Sequence, residues 1–166
     1  SPSAAATAAT AKPSALPVDG SPRSPIEWFV TPTGDPRQDS VLLVIQEYFS
    51  MSYRLFDRPN PNDPLIARLT IDPWRSYLTG AIGRLAERGL SQRGPLRIQI
   101  TNLTVTGARA QANACDDTTT SLTHEANGQI IARGSFGWYL VSLRNVGGNW
   151  RVANLISPPP DCTISQ

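Results

Sequence analysis

Halfway along this chain the apolar residues change repeat, from the spacing of a helix to that of a strand, and that order limits the folds open to it. In "QDSVLLVIQEYFSMSYRLFDR", Leu42, Ile45, Phe49 and Phe56 recur at spacings of three, four and seven. Val41, Tyr48 and Leu55 widen the stripe into the face of a long buried helix that Pro59 ends. Asp35-Pro36 precedes it, a capping side chain followed by a residue suited to the first helical turn. The same dipeptide recurs twice. Asp63-Pro64 opens the short "LIARLT", and Asp72-Pro73 opens "WRSYLTGAIGRLAERG", where Trp74, Leu78, Ile82 and Leu85 form the stripe and Gly89 the stop.

From Pro95 the period is two. "PLRIQITNLTVTG" alternates through Leu96, Ile98 and Ile100, then resumes at Leu103 and Val105 with its parity shifted, the mark of a β-bulge. "ARAQANAC" places Ala108, Ala110, Ala112 and Ala114 on one face and Arg109, Gln111 and Asn113 on the other, leaving space above that part of the sheet. "NGQIIARGSFGWYLVSLRN" reads as one long strand entered through an Asn127-Gly128 turn, and "WRVANLI" as its partner across Gly147-Gly148. Helices followed by a run of strands predict an α+β fold, with the helices packed on one face of a bent antiparallel sheet.

Residues 1–25, "SPSAAATAATAKPSALPVDGSPRSP", are nearly all Ser, Ala, Thr and Pro. They read as a disordered tether ahead of one domain over residues 26–166. A net charge of +2, with arginines spread singly and Lys12 the only lysine, gives no basic run, so nucleic acid is not an expected partner.

The order of elements resembles a known group. "GARAQANACDD", a turn, a long strand, "GGNWRVANL" and a final "PDC", preceded by "PNPNDPLIARL" after an aromatic-rich helix end, are similar to the NTF2-like (cystatin-like) secreted proteins and lipoproteins of actinobacteria and their phages. The resemblance spans about residues 38–162 and departs in the alanines of 108–114, where larger aliphatics are usual. It implies a cone of helices on a bent sheet and an extracytoplasmic position, and the tether reads as following a removed signal peptide, a lipid-carrying cysteine or a membrane helix ahead of Ser1. Set in that fold, Cys115 falls at a strand end and Cys162 just after the last strand. A disulfide between them would pin the C-terminal tail, closing a loop of about fifty residues worth about 4 kcal/mol in the chain-entropy model. An oxidising compartment suits such a pair.

Candidate chemistry is sparse. His124 lies beside a turn, and two distant cysteines with one histidine fall short of a zinc site, so no metal and no cofactor are expected. Asp116, Asp117 and Asp161 read as a solvated acidic turn, lacking the oxygen set calcium wants. Glu47, Asp57 and the tyrosines Tyr48, Tyr53, Tyr77 and Tyr139 are the acid or base groups left near a cavity, and of these Asp57 is the one to watch, although it reads more simply as a surface ion pair with Arg54 and Arg58. Tyr48, Tyr53, Trp74, Tyr77, Trp138 and Tyr139 are the candidate cavity lining, with Trp138 and Tyr139 on opposite faces of their strand.

The expected function is that of a non-catalytic, envelope-tethered extracytoplasmic domain. It would act through contacts with another envelope protein or as a scaffold, and a phage- or mobile-element-encoded exclusion or transfer lipoprotein is one form of it. Carriage of a small apolar ligand is one alternative, and a pocket isomerase or dehydratase, with an Asp, His or Tyr in the cavity, is another.

Overall fold

A computed structural model describes residues 26–157 and residue 164. The chain runs β1 (Ile26–Val30), α1 (Pro36–Asp57), α2 (Pro64–Leu69), α3 (Trp74–Glu87), β2 (Ser91–Arg93), β3 (Leu96–Thr106), β4 (Arg109–Asp117), β5 (Leu122–His124), β6 (Ile130–Arg133), β7 (Phe136–Val146) and β8 (Asn149–Ile156). The tether, residues 1–25, as well as Asp161 and Cys162, lie outside the described residues.

The helix starts follow the Asp-Pro signals, with one variation. Asp35 accepts from the Arg37 N–H at 2.8 Å and Asp63 from the Leu65 N–H at 2.9 Å, each with proline opening the helix. At α3 it is Pro73 that occupies the cap, and Asp72 instead accepts from the Ser76 N–H at 3.2 Å and its hydroxyl at 2.6 Å. The α1 stripe is buried as its spacing dictates, Val41, Ile45 and Leu55 completely.

The large sheet has the order β1-β3-β4-β7-β8. It is mixed rather than wholly antiparallel, because β1 pairs parallel to β3 from Ile26 opposite Leu96 to Val30 opposite Ile100. The three helices form the long crossover that a parallel pair needs. The sequence carried a signal for β1: Ile26 and Trp28 alternate inward, and Thr31-Pro32 stops the run.

The shifted parity in β3 is a bulge, with the register slipping between Thr101 and Thr104 around Asn102, whose φ is 52°. The Gly147-Gly148 hairpin joins β7 and β8 as expected, both glycines having positive φ.

The expected single strand through "NGQIIARGSFGWYLVSLRN" is two strands in two sheets. After the Asn127-Gly128 turn, β6 joins the small sheet β2-β5-β6, and only β7 enters the large one. The break falls at Gly134-Ser135, which the Thr118–Ser121 turn grips. Gly134 N–H donates to Ser121 O at 2.9 Å, Thr118 N–H donates to Ser135 O at 3.1 Å, and Ser135 N–H donates to Thr118 Oγ1 at 3.0 Å. A Cβ at Gly134 would lie 2.0 Å from the Thr118 carbonyl oxygen, so only glycine lets the backbones cross there.

Ala110, Ala112 and Ala114 are buried. Ala112 and Ala114 belong to the same core as the large side chains of α1 and floor no open space, whereas Ala110, also in that core, edges a separate hollow of about 590 Å³ beside Arg109 and Gln111.

Candidate functional site

The main cavity has a volume of about 810 Å³. The C-terminal half of α1 and the start of α3 wall one side, the ends of β4 and β8 and the start of β7 the other, and β2, β5 and β6 border it. Its size is within the range of small-ligand sites, roughly 300–1,000 Å³.

All six aromatic residues named from the sequence border it, in different ways. Tyr48 is buried at 2% exposure, and the Trp74 Nε1–H donates to its hydroxyl at 3.0 Å. Trp74 stacks on Tyr77 with centroids 4.9 Å apart, and Tyr77, 60% exposed, forms the rim rather than the wall. Tyr48 meets Phe49 edge-on at 5.4 Å, and Phe49 lies 6.4 Å from Tyr139, so the rings form a chain from rim to sheet. The Tyr53 hydroxyl donates to the Gly94 carbonyl. Cross-strand pairing sets Tyr139 beside buried Ala114 on the helix-facing side and Trp138 beside Cys115 on the other, as the period-two reading required.

The expected carboxylates do not serve the cavity. Asp57 is buried, but Arg93 holds it through Nε at 2.8 Å, while Arg54, its expected partner, bridges to Asp63 at 2.8 Å. Arg58 is a distant second contact of Asp57 at 3.9 Å. Glu47 is half exposed and pairs with Arg68 at 3.2 Å. His124 lies in β5 with Nδ1 3.5 Å from the Gly128 carbonyl, away from the cavity lining.

The carboxylate inside is Asp116, which the acidic-turn reading misplaced. The turn begins one residue later: Asp117 accepts from the Thr119 N–H at 3.0 Å and its hydroxyl at 2.7 Å, and meets Arg97 at 3.5 Å. Asp116 is still strand. Continuing the alternation of Ala110, Ala112 and Ala114 by one step places it on the helix-facing side, a signal the sequence did contain.

Opposite it is Gly137, whose N–H donates to the Asp116 carboxylate. A Cβ at Gly137 would lie 2.0 Å from Asp116 Oδ1 and 2.4 Å from the Tyr139 hydroxyl. Carboxylate and phenol therefore meet over the bare Cα of this glycine.

The electrostatics follow from burial. Desolvation pushes the Asp116 carboxyl from an ordinary 3.8 up to about 6, with the Gly137 N–H opposing it and the Asp117 charge adding to it. Burial likewise pushes Tyr139 up to about 12, the Asp116, Tyr48 and Tyr77 charges adding to it. It pushes Tyr48 to about 12 as well, the Ser52 and Trp74 contacts opposing and the Asp116 charge adding. Both phenols therefore stay protonated at neutral pH, while Asp116 changes charge near it.

No family model matches the sequence, and no curated protein matches it. Among solved structures, the intermembrane space region of the chloroplast protein ARC6 is similar with a TM-score of 0.55 and 14% identity, over 76% of this chain and 100% of that one. A protein of unknown function from Mycobacterium tuberculosis is similar at 0.47 and 18%, over 78% and 80%. A protein of unknown function with a cystatin-like fold from Nostoc punctiforme is similar at 0.41 and 13%, over 71% and 91%. At such identities the likeness is one of fold alone: α+β, with helices packed against a mixed sheet.

Proposed function

We propose that this domain works by binding rather than turnover, as a non-catalytic extracytoplasmic module held at the cell envelope, with the aromatic cavity as its contact site for a small, largely apolar, ring-bearing ligand. The observation that carries the binding reading is the continuous chain of rings Tyr77, Trp74, Tyr48, Phe49 and Tyr139 lining a cavity of about 810 Å³. Flat walls of this kind accept a ring by stacking and edge contacts.

Extracytoplasmic placement is supported by the tether composition and by the cysteine pair Cys115 and Cys162. A protein partner at the envelope is supported by apolar side chains exposed on elements that border the cavity: Ile130 and Ile131 of β6, Phe136 of β7 and Ile156 of β8, at 53%, 42%, 39% and 49%.

Titration with neutral one- and two-ring aromatics, followed by calorimetry, tests the binding reading. Saturable one-site binding should be abolished by Ala81→Phe, which fills the cavity from α3. Binding unaffected by that change would place the site elsewhere.

A second reading is favoured by Asp116. A carboxyl shifted toward neutrality beside a protonated phenol can take a proton from a carbon next to a carbonyl while the phenol donates to the oxygen, which is the chemistry of a pocket isomerase or dehydratase. Deuterium exchange into a cyclic ketone above the buffer rate, lost in Asp116→Asn, would move the function to this reading.

A further inference from the structure

Asp116 is the only acidic group among the described cavity-lining residues, and it makes no ion pair among the described residues. Among the described residues, the one basic side chain lining the cavity is Arg133 of β6, which is exposed at the border. A half-buried carboxylate among aromatic rings is costly unless a positive charge approaches it.

Around it are rings whose negative faces attract cations. Trp74 is held in place by its hydrogen bond to Tyr48 and its stacking on Tyr77, so its orientation is set before any ligand arrives. A hydroxyl lines the same space: Ser52 Oγ, on a residue only 7% exposed, makes no hydrogen bond of normal geometry although it lies near the Tyr48 phenol. A hydroxyl oxygen so placed can accept from an ammonium N–H.

We propose that the ligand of this cavity is an organic cation, a ring-bearing amine whose charge rests between the Asp116 carboxylate and the aromatic faces while its ring lies along Phe49 and Trp74. The inference rests on the binding reading above and names the ligand class for that cavity. Neutral ring compounds fill the same space but leave the carboxylate uncompensated. Anions meet it at close range and are excluded.

The titratable groups coupled to Asp116 are Tyr48 from α1, Tyr139 from β7 and Asp117 on its own strand, and Tyr77 from α3 and Arg133 from β6 line the same cavity. Tyr48 and Tyr139 remain protonated well above neutrality. Asp117 is held below the ordinary carboxylate value: burial pushes it up, but the Thr119 contacts and Arg97 outweigh that. Amine binding needs Asp116 ionised, so affinity falls as pH drops through about 6.

The test is calorimetry on the full chain with three probes of matched shape: naphthylmethylamine, naphthylmethanol and naphthoate. At pH 7.5 the amine should bind on the order of tenfold or more tighter than the alcohol, and the naphthoate should not bind. The preference should shrink at pH 5, where the amine keeps its charge. In Asp116→Asn, amine and alcohol should bind alike, with alcohol binding retained as proof of an intact cavity. Equal binding of amine and alcohol in the unmodified protein, or a preference that survives Asp116→Asn, overturns the cation assignment while leaving the cavity reading intact. Failure of all three probes to bind overturns both.

Discussion

Asp116→Asn should stabilise the fold at neutral pH and lose that advantage in acid. Burial raises the carboxyl from 3.8 to about 6, so the folded state holds the proton more tightly than the unfolded chain does. The sign follows: well below 3.8 the carboxyl is protonated in both states and imposes no charge penalty, whereas above about 6 the folded state must carry a half-buried carboxylate that the unfolded chain would keep in water. The shift corresponds to roughly 3 kcal/mol at pH 7.5, an upper figure because buried asparagine has its own desolvation cost. The asparagine oxygen can still accept from the Gly137 N–H, so a net gain of about 2 kcal/mol is expected. Urea denaturation of both proteins at pH 4, 5, 6 and 7.5 measures it. The difference between the two proteins isolates Asp116 from Asp63, Asp72 and Asp117, whose lowered values act in the opposite direction in both. A variant less stable at pH 7.5, or a difference that does not change with pH, would refute the reasoning.

Three further outcomes follow from other parts of the molecule. Non-reducing peptide mapping should recover Cys115 joined to Cys162, and replacing both with alanine should cost about 4 kcal/mol in denaturant unfolding; two free thiols in freshly purified protein would dismiss the bridge. Gly134→Ala places a Cβ 2.0 Å from the Thr118 carbonyl oxygen and should lower stability by about 1–3 kcal/mol by forcing the β6–β7 crossing apart; a neutral effect on the melting temperature would count against that crossing. Arg109, Arg144 and Arg151 sit side by side on three adjacent strands with no ion pair among the described residues, so Arg144→Glu turns two like-charge pairs into attractive ones; thermal unfolding should show a gain of up to about 1 kcal/mol at low ionic strength that fades in high salt.

The helices were legible because each is specified locally, by an Asp-Pro start and a stripe three to four residues apart. The bulge at Asn102 was legible for the same reason, since a parity shift is written in consecutive residues. The pairing of β1 with β3 was not: alternation in Ile26 and Trp28 shows a strand, but its partner is seventy residues away, as Ile26 opposite Leu96 illustrates, and period alone does not choose it. The split of β6 from β7 depended on one close approach at Gly134, which glycine permits without announcing it. Of the cavity, the rings were identifiable as large half-polar side chains at inward positions. Asp116 was missed because two adjacent acids suggest a turn, while the alternation of the preceding alanines, carried one step further, puts the first of them inside. That the close partner of Asp57 is Arg93, with Arg58 more distant and Arg54 turned to Asp63, was beyond sequence reach, because β2 meets the end of α1 only in the folded chain.

The most direct measurement of ligand binding in the cavity is a two-dimensional nitrogen–proton NMR titration that follows the indole N–H signals of the four tryptophans. Trp74 and Trp138 border the cavity, whereas Trp28 and Trp150 are buried in the core away from it. On adding naphthylmethylamine at pH 7.5, the Trp74 signal should move to saturation with a single dissociation constant, because its N–H is hydrogen-bonded to Tyr48 at the cavity wall. Trp28 and Trp150 should stay in place. A titration that leaves Trp74 unmoved, or that shifts Trp28 and Trp150 instead, would contradict the account.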